Sequence, residues 1–189
     1  TYVRNEIVEY DEVPSKYNYQ NYTGQSIGQP YCYIAEGLYT PDDFTTTTTS
    51  TEGYLYELKA DVPKPAANVA PGDIKYKDVN GDGVVNDGDI VAIGSTSKPN
   101  LIYGLGLSAT WKGLDVSLHF QGAGKSQFFT YGKCIWAFTE GQWGNILKGT
   151  LDNRWVDAET AQKLGIPANE NPNASYPRLS YTDNGNGNT

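Results

Sequence analysis

Two sets of positions alternate along residues 102–121, IYGLGLSATWKGLDVSLHFQ. Tyr103, Leu105, Leu107, Ala109 and Trp111 form one set; Gly104, Gly106, Ser108 and Thr110 form the other. After Lys112-Gly113 the alternation resumes, with Leu114, Val116, Leu118 and Phe120 against Asp115, Ser117, His119 and Gln121. A period of two places each set on one face of a strand, and a two-residue break containing glycine reads as a hairpin turn. The pattern predicts two antiparallel strands with one apolar face and one small, polar face. In a β-sandwich the apolar face is core; in an outer-membrane barrel it meets lipid while the other face meets a polar lumen. Alternation alone leaves both architectures open.

Weaker patterns fill the rest of the chain. Residues 1–12 (TYVRNEIVEYDE) are rich in strand formers and predict a strand. Ile27 to Tyr39 predicts a second, with Gly28 and Pro30 confining its start to an edge or a bend. Residues 40–52 (TPDDFTTTTTSTE) read as a low-complexity loop with Thr45 to Thr49 at a solvated tip. Residues 53–62 carry a short strand pattern, and 63–72 (PKPAANVAPG) is a Pro-rich connector. Toward the C-terminus, Thr139 and Gln142 match a capping box, with Trp143, Ile146 and Leu147 on one helical face. Asp157 opens a second short helix, AETAQKL, closed by Gly165 with Pro167 beyond. Residues 165–189 read as a polar loop.

Composition narrows the function. The 189 residues carry 14 basic and 22 acidic side chains, a net charge of −8, which excludes a phosphate-tracking surface and hence nucleic acid as a partner. Fifteen Tyr, five Phe and four Trp stand against no Met; amphipathic rings suit strands with one wet face or surfaces at a polar–apolar boundary. No apolar run is long enough for a transmembrane helix, which says nothing of a barrel, whose segments are shorter. The chain opens at Thr1 in mid-pattern and stops in a polar run, and it reads as a fragment. Cys32 and Cys134 read as two unpaired residues, with one long-range disulfide as the alternative. His119 is the single histidine, so zinc has almost no ligands to draw on.

Residues 78–89, DVNGDGVVNDGD, carry the clearest chemistry. A twelve-residue calcium loop takes oxygens from positions 1, 3, 5, 7, 9 and 12, with glycine at 6 for the sharp turn. Here those positions are Asp78, Asn80, Asp82, Val84 through its backbone carbonyl, Asn86 and Asp89, with Gly83 at the turn. Ca²⁺ is a hard cation that takes six to eight oxygens. Asp89 departs from the pattern, since a glutamate would reach further for bidentate ligation. The competing reading is a metal-free Asx-rich turn. Filling every ligand position in register favours the metal, in a structural role.

The run from Pro71 to Phe129 resembles the C-terminal part of SusC/RagA-family TonB-linked outer-membrane proteins of Bacteroidetes. The matching residues are Gly72-Asp73-Ile74, Tyr76, Asp78, Asn80 to Gly83, Ile93-Gly94, Tyr103-Gly104, Ser108, Trp111-Lys112-Gly113, Asp115, Ser117 and Phe120-Gln121-Gly122. Lys98-Pro99-Asn100 departs from the commoner Asn-Pro order. The resemblance implies an all-β fold: antiparallel strands of a large outer-membrane β-barrel, with long extracellular loops carrying short helices. It implies import of glycan or peptide fragments, energised by TonB through parts of the protein not present in this sequence. It also implies a SusD-like surface lipoprotein as lid and outer-membrane lipid around the barrel. On that reading residues 1–77 hold barrel strands and an extracellular loop, 78–89 the calcium loop, 90–124 a barrel hairpin and 125–189 a long extracellular loop. Lys112-Gly113 becomes a periplasmic turn, and the calcium loop lies outside the cell.

The alternative is a soluble, secreted, calcium-stabilised carbohydrate-binding β-sandwich, with Tyr31, Tyr33, Trp136 and Trp143 as platform candidates. An enzyme is rejected. No nucleophile motif accompanies His119, and the carboxylates of 78–89 are better explained by a metal.

Overall fold

The computed structural model describes residues 1–50, 53–130, 137–138 and 145–180. Ten strands run along them: β1 (Tyr31–Cys32), β2 (Ala35–Leu38), β3 (Phe44–Ser50), β4 (Gly53–Leu58) and β5 (Lys64–Pro65). They continue with β6 (Ile74–Tyr76), β7 (Val84–Val85), β8 (Val91–Ala92), β9 (Leu101–Trp111) and β10 (Leu114–Gly124), followed by helices α1 (Lys148–Asn153) and α2 (Ala158–Leu164). The class is all-β. Among the described residues the strands make five two-stranded sheets, four antiparallel and one, β5 with β7, parallel. No described helix is long and apolar enough to cross a membrane. The chain divides into two compact units, Thr1–Cys32 with Val91–Phe129, and Tyr33–Ile90 with Thr130–Thr189.

In the first unit β1 pairs with β8 and β9 with β10. The strand expected over 1–12 is reduced to one bridge, Tyr2 with Leu101. The reason lies in the polar side chains beyond it. Asn5 accepts the Ile27 N–H through Oδ1 at 2.8 Å. Glu12 accepts the backbone N–H groups of Tyr22 at 2.7 Å and Thr23 at 3.0 Å. Such local bonds offer the backbone an alternative to a ladder. The Tyr22 and Thr23 amides also hold the Glu12 carboxyl below its ordinary value. Tyr22 packs its ring against Tyr10 and Tyr31, at centroid distances of 5.3 and 5.0 Å.

The second unit is built around Tyr39, Phe44, Val62 and Val69, with Tyr56 and Leu58 packed on them. Burial, helped by the charges of Asp43 and Asp73, pushes the Tyr39 phenol up to about 12. Strands β2 and β6 pair with a register shift between Ala35 and Gly37, so the pattern expected from Ile27 to Tyr39 is broken into β1 and a bulged β2. The loop expected at 40–52 is a correction: Phe44–Ser50 is strand β3, paired with β4. A run of threonines has no period for hydrophobic patterning to detect, but threonine is β-branched and favours extended backbone.

Helix α2 forms as expected. Asp157 caps it by accepting the Thr160 N–H at 2.7 Å, and Gly165 ends it in the left-handed region. The capping box at Thr139 and Gln142, with Trp143, lies outside the described residues. Ile146 and Leu147 are not helical; Leu147 is the N-cap of α1. Cys134 and Trp136 also lie outside the described residues. Trp155 is buried, its ring lying where a Cβ on Gly72 would stand, 2.2 Å from Cε3. Asp73, fully buried, meets Arg178 through Nη2 at 3.0 Å to Oδ2, with Nε against Oδ1.

Candidate functional site

The 78–89 loop leaves β6 and folds back on itself through its own side chains. Asp78 accepts the N–H groups of Gly81 at 2.6 Å and Gly83 at 2.8 Å, one on each carboxylate oxygen. Asn80 Oδ1 accepts the Asp82 N–H at 2.8 Å, and Asp82 Oδ1 accepts the Val84 N–H at 2.9 Å. Asn86 Oδ1 accepts the Gly88 N–H at 2.7 Å. Each expected side-chain ligand thus also orders the turn that carries it, which is Asx-turn chemistry. Gly83 has φ +82°, the left-handed conformation a sharp turn requires.

Asp89 is the centre of this arrangement. It is 0 % exposed. Its Oδ1 accepts the N–H groups of Val79 at 2.8 Å and Asn80 at 3.3 Å, and its Oδ2 accepts the Asn86 N–H at 2.9 Å. The shorter aspartate in place of glutamate is therefore drawn inward onto the backbone at both ends of the loop. Among the described residues no lysine or arginine pairs with Asp78, Asp82 or Asp89. Asn80 Nδ2 is buried without a hydrogen-bond partner.

The structure brings Asp78, Asn80, Asp82, Val84, Asn86 and Asp89 onto one turn, with the side-chain oxygens engaged by backbone amides. Among the described residues no three His, Cys, Asp or Glu side chains converge as a metal cluster. The donor chemistry nonetheless fits a hard cation. The loop supplies carboxylate and amide oxygens with no sulfur or imidazole, and Asp89 is a buried carboxylate with which no described lysine or arginine forms an ion pair.

Two neighbours of the loop were not legible from its spacing. Tyr33 donates its hydroxyl to Asp87 Oδ1 at 3.3 Å and packs against Tyr76 at 5.3 Å. Burial, with the Asp87 charge next, raises the Tyr33 phenol above its ordinary value. Tyr33 is thus an anchor of the loop. The Tyr31 hydroxyl donates to the Asn21 carbonyl at 2.7 Å. On the far side, the Lys64 N–H donates to the Gly83 carbonyl at 3.0 Å, and β5 pairs with β7. The Pro-rich connector is strapped to the loop.

The hairpin has the geometry its alternation predicts, extended by a few residues. Strands β9 and β10 pair in continuous register from Leu114 opposite Trp111 to Gly124 opposite Leu101. Lys112 and Gly113 both have positive φ, 47° and 88°, as a type I′ turn requires. The apolar residues fall opposite one another: Phe120 with Leu105, Leu118 with Leu107, Val116 with Ala109. On the other face Thr110 Oγ1 donates to Asp115 Oδ1 at 2.5 Å. Neither face is covered: Leu105 is 56 % exposed, Leu118 51 % and Trp111 67 %. Lysines sit over aromatic rings at both ends, Lys112 Nζ 5.0 Å from the Trp111 centroid and Lys125 Nζ 5.4 Å from that of Tyr2.

No protein-family profile matches the chain, and no solved structure matches it. Among curated proteins it is similar to TonB-dependent receptor P26 of Formosa agariphila, 26 % identical over 114 residues. The aligned stretch is 60 % of this chain and 11 % of that receptor's length. The likeness is to a TonB-dependent receptor, of whose length this chain spans a small part.

Proposed function

We propose that the chain is part of the barrel and extracellular region of a TonB-dependent outer-membrane importer of the SusC/RagA type. The uncovered hairpin is the observation that carries this reading. A sandwich buries one face of every strand, and β9 and β10 bury neither. Eleven residues at about 3.4 Å each give a strand of roughly 37 Å, which at a tilt of about 45° covers an apolar band of about 25 Å. Leu105, Leu107, Val116, Leu118 and Phe120 would face lipid. Gly104, Gly106, Ser108, Ser117 and Gln121 would face the lumen. The aromatic–lysine pairs at the two ends suit the membrane–water interfaces.

The imported cargo on this reading is an oligosaccharide or peptide fragment, with a SusD-like surface lipoprotein as lid and TonB supplying energy. The role is transport, not catalysis. Residues 78–89 hold Ca²⁺ in a structural role: Asp78, Asn80, Asp82, Asn86, Asp89 and the Val84 carbonyl are the ligands. Bound there, the cation neutralises carboxylates that no described lysine or arginine pairs with. Tyr33 and the β5 strap hold the loop in place.

The test is the native protein in outer-membrane extracts, run on a denaturing gel with and without heating. A large species that needs detergent and changes mobility on heating supports the barrel. A water-soluble species of unchanged mobility would overturn it in favour of the calcium-stabilised sugar-binding module.

A further inference from the structure

We propose that Asn80 is a site of spontaneous deamidation through a succinimide, and that the Asp78 carboxylate restrains it by holding the nitrogen that must attack. The proposal concerns the covalent chemistry of the 78–89 loop and stands whether or not the loop holds Ca²⁺.

Asn80 is followed by Gly81, and a bond from the Gly81 nitrogen to Asn80 Cγ closes a five-membered ring. Glycine leaves that nitrogen unshielded. Gly81 is exposed, has φ +74°, and a Cβ built on it would meet nothing within 4 Å. Water therefore has access to the ring as it forms.

Two features of the Asn80 amide favour the reaction. Its Oδ1 accepts the Asp82 N–H at 2.8 Å, which places a donor on the oxygen that gains negative charge as the nitrogen adds. Its Nδ2 is the leaving group, and it is buried with no hydrogen-bond partner among the described residues. No bond retains it, and its departure removes an unsatisfied buried donor.

The attacking nitrogen is the opposite case. The Gly81 N–H donates to Asp78 Oδ1 at 2.6 Å, and the Gly83 N–H to Asp78 Oδ2 at 2.8 Å. One carboxylate thus holds both glycine nitrogens of the run Asn80-Gly81-Asp82-Gly83. Bonds from N–H to a carboxylate are among the stronger hydrogen bonds, and the Gly81 nitrogen must give this one up before it turns onto Cγ. The other carboxylates of the loop bond elsewhere: Asp82 to Val84, and Asp89 to Val79, Asn80 and Asn86.

The atoms balance without a redox step. The Gly81 nitrogen forms its bond to Cγ, the Cγ–Nδ2 bond breaks, and the Gly81 hydrogen leaves with Nδ2 as ammonia. Water then opens the ring. Opening at Cγ gives aspartate. Opening at the Asn80 backbone carbonyl gives isoaspartate, in which the main chain runs through Cβ and Cγ and is one methylene longer. Either product adds a negative charge. Isoaspartate also spends the side-chain carbonyl on the main chain, so the oxygen that orders the Asp82 N–H is lost from the turn.

The experiment incubates the full-length protein at neutral pH with a calcium chelator and reads the tryptic peptide that follows Lys77. Deamidation at residue 80 changes the peptide mass, whereas isomerisation of Asp82 or Asp87 does not, and fragmentation places the change. Asp78→Ala is expected to deamidate at least about tenfold faster than the unmutated protein. The Val79 and Asn86 amides, held by Asp89, are expected to keep their exchange protection in that variant. Asp82→Ala removes a carboxylate but leaves the Gly81 N–H on Asp78, and should stay near the unmutated rate. An unchanged rate in Asp78→Ala, or an equal acceleration in Asp82→Ala, would overturn the proposal. So would an acceleration accompanied by loss of protection at Val79 and Asn86, since loop opening would then account for it. Calcium titration of the same proteins, after the chelator is removed, tests the metal reading separately: absence of binding would sink that reading and leave the deamidation rates standing.

Discussion

The Asp89 carboxylate accepts the Val79 backbone N–H at 2.8 Å, so the last residue of the 78–89 loop is bonded to its second. That bond gives Asp89 a task that Asp82 does not have. Asp82 Oδ1 orders only the Val84 N–H, at the loop's exposed side. Asp82→Ala is expected to weaken Ca²⁺ binding and leave the loop's backbone in place. Asp89→Ala is expected to remove Ca²⁺ binding and also to open the loop without metal, because the Val79, Asn80 and Asn86 N–H groups lose their shared acceptor. Calcium titration by calorimetry, with amide exchange at Val79 and Asn86, separates the two effects. Equal exchange in both variants would contradict the assignment.

Acid should be felt at Asp43. Its burial favours the neutral form, but the Lys75 ammonium bonded at 2.8 Å and the Thr40 amide and hydroxyl outweigh that and hold the carboxyl below its ordinary value. A depressed folded pKa gives stability that is present above the unfolded value, about 3.9, and is lost as pH falls through the folded one. Protection of residues 39–44 and 73–76 from hydrogen exchange is expected to decline below about pH 4. In Asp43→Asn this pH dependence should disappear, and protection should be lower already at neutral pH.

The two faces of the hairpin should respond oppositely to charge. Leu118→Arg places a guanidinium in the middle of the apolar face and should cost roughly 2–4 kcal/mol of insertion at mid-bilayer depth. The heat-modifiable fraction in the membrane would fall accordingly. Ser117→Arg, one residue away on the polar face, should leave it near the unmutated value. A soluble domain would show no such asymmetry in membrane yield.

Gly72→Ala should destabilise the second unit. Gly72 has φ +89°, and an added Cβ would lie 2.2 Å from Trp155 Cε3. Backbone strain and overpacking together should cost about 3 kcal/mol. Faster proteolysis of residues 145–180 than in the unmutated protein would register it; Asp61→Ala, on an exposed side chain, is the control.

The hairpin and helix α2 were legible because their signals are local. A period of two across Tyr103 to Gln121 and a cap at Asp157 need no distant partner. The tight turn of residues 78–89 was legible for the same reason. What spacing did not reveal was that Asp89 would turn inward onto Val79 and Asn86, or that Tyr33 would hold Asp87 from 54 residues away. Strand β3 was missed because threonines carry no hydrophobic period. The strand expected over 1–12 failed because Asn5 and Glu12 cap nearby turns, which depends on residues 22–27 and not on the segment's own propensity.

The pairing of Arg178 with Asp73 sets an order of events. Residues 105 apart in the chain must meet before the Asp73 carboxylate, which also accepts the Ala70 N–H at 2.9 Å, gains its cationic partner. The same C-terminal stretch supplies the Pro172 carbonyl to Leu38 and the Tyr176 carbonyl to Trp155. Contacts so distant in sequence slow folding, because chain closure is paid for before the contact forms. The first half of the second unit therefore gains these contacts only once the segment from Pro172 to Arg178 has joined it.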